Sequence, residues 1–133
     1  MELQGRPQTI RSPRDAVRLG LTYLSEDRKG KGLHVAFGLR ENLTLMALER
    51  YATPLLQPAL EDQALAGAVA EFGIRTGSLR IKASSLSGGN QQKVALAKWL
   101  TWPPKVLVLS EPTRGMDVGA KEDVVRIVKG LRE

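Results

Sequence analysis

Apolar residues along the chain switch between the three- and four-residue spacing of helices and the unbroken runs of buried strands, and these switches divide it into elements. Ser12 followed by Pro13 marks a helix start, with Ser12 as N-cap, and Gly20 closes this short helix. Leu21 to Leu24 predicts a short strand. The charged stretch Ser25 to Gly32 is too polar for a core and reads as an exposed loop. From Leu39 onward, Leu39, Leu43 and Met46 repeat at helical spacing and predict an amphipathic helix to about Tyr51, broken by Pro54 and Pro58. Leu60, Ala64, Leu65, Ala68, Val69 and Phe72 predict a second, and Gly73 stands where a left-handed residue ends a helix.

Ser84 to Gly89 reads as a turn leading into a helix from Gln91 to Leu100, which ends before Pro103-Pro104. The run Val106-Leu107-Val108-Leu109 has no alternation and predicts a strand covered on both faces, as in a parallel sheet. Val124, Ile127, Val128 and Leu131 share one face of a last helix, Ala120 to Leu131. Strand, helical middle, helix, buried strand, helix is the order of a layered α/β fold. Only these two strands stand out, fewer than a stable sheet usually has, so the pattern predicts part of a larger domain.

Composition narrows the function classes. The 133 residues suffice for one domain, and 42% hydrophobic with 26% charged residues describes a globular chain. No apolar run approaches the roughly 20 residues needed to cross a bilayer. The chain has no cysteine, which excludes disulfides and thiolate metal sites, and His34 is the single histidine. Any catalysis must therefore rest on carboxylates, hydroxyls and backbone dipoles. The N-terminal residues lack the apolar stretch of a secretory signal, so a cytoplasmic location is expected. The net charge of +6 resides between residues 73 and 109, where Arg75, Arg80, Lys82, Lys93, Lys98 and Lys105 face no acid. Such a segment suits a nucleic-acid backbone, an acidic membrane or a nucleotide phosphate. Only Trp99 and Trp102 among the aromatic residues lie within it, too few for a base-stacking platform, and no nucleic-acid partner is expected.

Leu86-Ser87-Gly88-Gly89-Asn90-Gln91-Gln92 places a hydroxyl and two glycines at the first turn of a helix, where unpaired N–H groups and the positive dipole end converge. A phosphate oxygen can approach there, although an ordinary N-cap has the same appearance. The apolar strand ends in Ser110-Glu111-Pro112-Thr113, so Glu111 emerges at the carboxyl edge of a parallel strand, where open α/β sheets place their ligands. A carboxylate there can orient a water for attack on a phosphoryl group.

Leu86 to Lys98 and Lys105 to Lys121 together resemble the ATPase subunits of ABC transporters. Asn90-Gln91-Gln92 after the signature glycines, and Thr113-Arg114-Gly115 before Asp117, look like the variant found in bacterial ribose, galactose and xylose importers. Ser12 to Ala16, Tyr23 to Lys29 and Gly32-Leu33 are similar to the second of the two ATPase domains of those proteins. The resemblance implies a P-loop NTPase fold with ATP and Mg2+ as cofactors. Ser87, Gly88 and Gly89 match the signature that contacts the γ-phosphate of ATP on an opposing domain, and Gln91 in the same run is grouped with them as nucleotide-binding. Glu111 matches the catalytic carboxylate, Asp117 the loop that communicates across the dimer, and Glu26 the usual glutamine of the Q-loop. Residues from about 33 to 85 match the helical subdomain that touches the membrane permease, and residues 86 to 133 the signature and Walker B region. Partners would be a second ATPase domain and permease subunits at the inner face of the membrane, with no direct contact to the sugar.

Two departures accompany the resemblance. No Gly-x-x-x-x-Gly-Lys-Ser/Thr run occurs, since Gly30-Lys31-Gly32 lacks the earlier glycine and the following hydroxyl residue, and this implies a partial domain without its Walker A segment. The magnesium-supporting aspartate before the catalytic carboxylate is replaced by Ser110, a poor ligand for a hard dication. The alternative readings are a nonenzymatic module or gene remnant that docks on a permease or ATPase, and a chromosome-maintenance ATPase, whose signature is also Leu-Ser-Gly-Gly.

Overall fold

The computed structural model describes residues 1–52, 54–101 and 104–131. Trp102 and Pro103, which the sequence placed in the basic segment and at a helix end, lie outside them. The chain opens with a small hairpin, β1 (Glu2–Leu3) against β2 (Arg6–Pro7). Its turn residues Gln4 and Gly5 have φ of 52° and 73°, the left-handed pair of a two-residue hairpin turn. The apolar pattern did not mark this hairpin, because its exposed residues carry no alternation.

Helix α1 (Pro13–Arg18) starts as expected at Ser12, and the cap is reciprocal: the Asp15 N–H donates to Ser12 Oγ and the Ser12 N–H to Asp15 Oδ2. Strand β3 (Leu21–Leu24) follows and pairs in parallel with β4 (Val106–Leu109), Leu21 opposite Val106 and Leu24 opposite Leu109. The expectation that β4 is covered on both faces is overturned. Cross-strand neighbours Tyr23 and Val108 are 55% and 51% exposed, because among the described residues the sheet has two strands and no helix seals that side. The other side is closed by Leu24, which is buried.

The predicted helix from Leu39 to Tyr51 also needs correction. α2 (Leu39–Thr44) is regular, but the next turn, Leu45–Arg50, is tighter and kinks at Ala47, with φ −129° and ψ 30°. The loop expected over Ser25 to Gly32 contains one wide helical turn, Arg28–Gly32, in which the Lys31 and Gly32 N–H groups both donate to the Asp27 carbonyl. α3 (Pro58–Glu71) buries Leu65 and Ala68 of its predicted stripe, but Leu60 is exposed and Glu61 is buried instead; the helix ends at Gly73, whose φ of +57° is a conformation that glycine adopts without a Cβ penalty.

α4 (Gly88–Leu100) lies at the centre, with Val94, Ala95, Leu96 and Ala97 at most 1% exposed. One continuous core joins Leu24 of β3, Leu39 and Leu43 of α2, Leu65 of α3, α4 itself, and Val124 of α5 (Val118–Gly130). Asn42 fastens the entrance to α2, accepting from the His34 N–H and donating to the His34 and Gly38 carbonyls. No helix of the described residues is long and apolar enough to cross a membrane.

Candidate functional site

The residues singled out by sequence fall into two groups at the ends of α4 and of the parallel strands. At the first, Ser87 is the N-cap of α4, and its Oγ accepts from the Asn90 N–H (3.4 Å) and from Asn90 Nδ2 (2.9 Å). Gly88 and Gly89 are the first helical residues, whose N–H groups have no acceptor inside the helix. Asp117 is the N-cap of α5, its Oδ1 accepting from the Ala120 N–H at 2.9 Å. Two helix N-termini thus line one cleft of about 260 Å³ together with Arg75, Glu122 and the paired Lys93 and Asp123, and this brings Ser87, Gly89 and Asp117 into a single site.

Gly89 has a structural duty of its own. A Cβ at this position would lie 2.6 Å from the Ala120 Cβ, so the α4–α5 crossing itself requires glycine. Gln91 departs from its expected place. It is 4% exposed, Nε2 donates to the Ala83 carbonyl at 3.0 Å, and it does not line the cleft. Position 91 is four residues past the cap, one helical turn on, and faces inward, where its amide makes an internal bond that fixes the segment before the Ser87 turn.

The basic segment is likewise not one surface. Lys93 is 4% exposed and Nζ donates to the Gly73 carbonyl (3.0 Å) and to Asp123 Oδ2 (2.6 Å). That ammonium holds the Asp123 carboxyl below its ordinary range. Lys98 is 5% exposed, with Nζ donating to the Gly32 carbonyl and lying 5.4 Å from the Trp99 ring centroid, and burial pushes it below the ordinary lysine range. Sequence could not separate these two lysines from the exposed ones, since burial depends on which helix face meets α3, α5 and the loop at Gly32.

The second group sits at the carboxyl ends of β3 and β4. The Ser110 N–H donates to the Leu24 carbonyl and extends the parallel ladder by one bond. Glu111 follows with φ +40°, a left-handed conformation for a residue with a side chain. Glu26 comes from the β3 side, and Arg114 joins the two: its Nη1 lies 2.7 Å from Glu26 Oε2 and its Nε 3.8 Å from Glu111 Oε2. Sequence reading missed Arg114 as a partner of both carboxylates. No hydrogen bond or ion pair between described residues links this group to the signature cleft.

The Ser110 group does not form a cage for magnesium. Ser110 offers a neutral hydroxyl, both neighbouring carboxylates already face a guanidinium, and no group of three acidic or histidine side chains among the described residues has an arrangement that could hold a metal ion.

A model of the ABC transporter family matches residues 3–114. The chain belongs to that family. It is similar to the ribose import ATP-binding protein RbsA of Chromobacterium violaceum, with 48% identity over 132 residues. The proteins of the same name from Shouchella clausii and Geobacillus kaustophilus are 45% and 44% identical to it. These alignments cover 97 to 98% of this chain but only 26% of each relative's length.

Proposed function

We propose that this chain is part of the nucleotide-binding subunit of a carbohydrate importer, and that its Ser87 turn contacts the terminal phosphate of ATP held by an opposing ATPase domain. The observation that carries this reading is the joint cleft at the N-termini of α4 and α5, with Ser87, Gly89 and Asp117 on its wall and the Arg75 cation beside them. The names of the relatives supply the class of system, ribose import, and ATP as the ligand. In this reading the helical stretch between Leu33 and Ser85 faces a permease, and the chain works at the cytoplasmic side of the membrane without touching the sugar.

Each residue has a stated part. The Gly88 and Gly89 N–H groups and the Ser87 hydroxyl receive phosphate oxygens, while Asp117 reaches toward the opposing domain from the start of α5. Glu111 corresponds to the water-orienting carboxylate and Glu26 to the Q-loop position, but here both are paired with Arg114. The contribution in trans is therefore the one this chain is built to make, and hydrolysis by the chain alone is not expected.

The test is nucleotide-dependent association. The chain is mixed with an intact sugar-importer ATPase domain and run on a sizing column in ATP or in ADP. A complex formed in ATP and lost in ADP is expected; no complex, or one indifferent to nucleotide, would contradict the reading.

A further inference from the structure

Asn90 follows Gly88 and Gly89, and its side chain occupies a defined place. Asn90 Oδ1 accepts from the Arg75 backbone N–H at 2.8 Å, and Asn90 Nδ2 donates to Ser87 Oγ at 2.9 Å. The two bonds decide the amide's orientation. A backbone N–H can only donate, so the oxygen must face Arg75 and the NH2 must face Ser87.

The consequence falls on the hydroxyl. A serine oxygen has two acceptor sites and one proton. Asn90 fills both acceptor sites, one from its backbone N–H and one from its amide. No acceptor among the described residues takes the Ser87 proton, and Ser87 lies on the cleft wall. We infer that Asn90 is a positioning residue which makes Ser87 an outward hydrogen-bond donor, set to meet an anionic oxygen in the cleft. The inference rests on the proposed phosphate-facing turn and adds to it the reason that the hydroxyl points outward: the loop after α3, through Arg75, locks the amide that locks the serine.

Asparagine and aspartate are nearly equal in size but opposite in this respect. A carboxylate at position 90 still accepts from the Arg75 N–H, but it also accepts from the Ser87 O–H and turns that proton inward. Asn90→Asp therefore removes the outward donor and, separately, adds a negative charge. Ser87→Ala separates the two effects, since without the hydroxyl only the charge remains.

Two measurements on the full chain test the inference. In the first, the side-chain amide protons of Asn90 are followed by NMR. Ser87→Ala should shift one of them upfield and speed its exchange, whereas unchanged signals would overturn the assigned bond direction. In the second, inorganic phosphate is titrated while the Gly88 and Gly89 amide signals are recorded. Asn90→Asp should weaken binding by about 10-fold or more in the native background and by less than about 3-fold when combined with Ser87→Ala, because loss of a hydrogen bond to a charged group is confined to the background that has the hydroxyl. Equal losses in both backgrounds would overturn the positioning role. If the native chain shows no phosphate response, the phosphate-facing reading fails, and the amide measurement still decides the direction of the Asn90 bond.

Discussion

The two ends of the site are held in different ways. At the start of α4, two of the groups that flank the Ser87 turn are themselves buried and internally bonded, Lys93 to Gly73 and Asp123 and Gln91 to Ala83, while Asn90 accepts from the Arg75 backbone at the surface. At the ends of β3 and β4, the Glu26 and Glu111 carboxylates meet, among the described residues, only Arg114, itself 64% exposed, on a sheet whose Tyr23 and Val108 side is exposed. A buried pair loses much when one partner is removed, because the other is left desolvated, whereas an exposed pair exchanges its partner for water. The start of α4, which we propose meets a second domain, is thus anchored through buried side chains. The strand edge, where the chain would need its own nucleotide, is the loosely held one.

The largest break in this contrast should come from Asp123→Asn, which leaves the Lys93 ammonium buried without its carboxylate. A loss of about 2–3 kcal/mol is expected in urea unfolding, less than for a wholly buried pair because Asp123 is partly exposed. The pH dependence has a definite sign. The Asp123 carboxyl titrates below 3.8 in the folded chain, so its stabilisation is complete above that value and is lost as the pH falls through the lowered one, a loss that Asp123→Asn should lack.

Gly89→Ala comes next. Its new Cβ meets the Ala120 Cβ and pushes α4 from α5, at a cost of about 1–2 kcal/mol, and Ala120→Gly should restore part of it. If Gly89→Ala unfolds at the native urea midpoint, then α4 and α5 do not cross as closely as described.

Lys98 sharpens the contrast from inside the core. Burial lowers its folded value below 10.5, so the unfolded chain binds the proton more tightly between the two values. Stability should therefore rise with pH across that interval, and Lys98→Met should flatten this part of the profile. A profile identical in both proteins would mean that Lys98 reaches water.

The smallest effect belongs to the strand edge. Glu111→Gly removes a left-handed strain and an exposed ion pair together, so a gain of about 0.5 kcal/mol is expected, with Glu111→Ala gaining nothing. A loss of several kcal/mol with glycine would place Glu111 in a tighter network than the one described.

Much of this was legible from local signals. Ser12, Pro13, Gly73 and the apolar run of β4 are punctuation that acts within a few residues, and the elements they mark are present. Ser87 as a cap and Glu111 at a parallel strand's carboxyl end were readable for the same reason. What escaped depends on distant partners. The burial of Lys93 and Lys98 and the Arg114–Glu26 pair need residues 20 to 88 positions apart, and the inward turn of Gln91 needs the chain to fold back on Ala83 eight residues before it. The kink at Ala47 also escaped, because apolar spacing continues through it while the backbone does not.

The central claim is that this chain lends its signature turn to a nucleotide bound elsewhere, and ATP turnover by an intact sugar-importer ATPase domain measures it most directly. Turnover is recorded alone, with the native chain, and with Ser87→Arg, whose bulk and length fill the approach to the start of α4. The account predicts stimulation by the native chain and none by Ser87→Arg at matched concentration and verified fold. Equal stimulation by both proteins would contradict it.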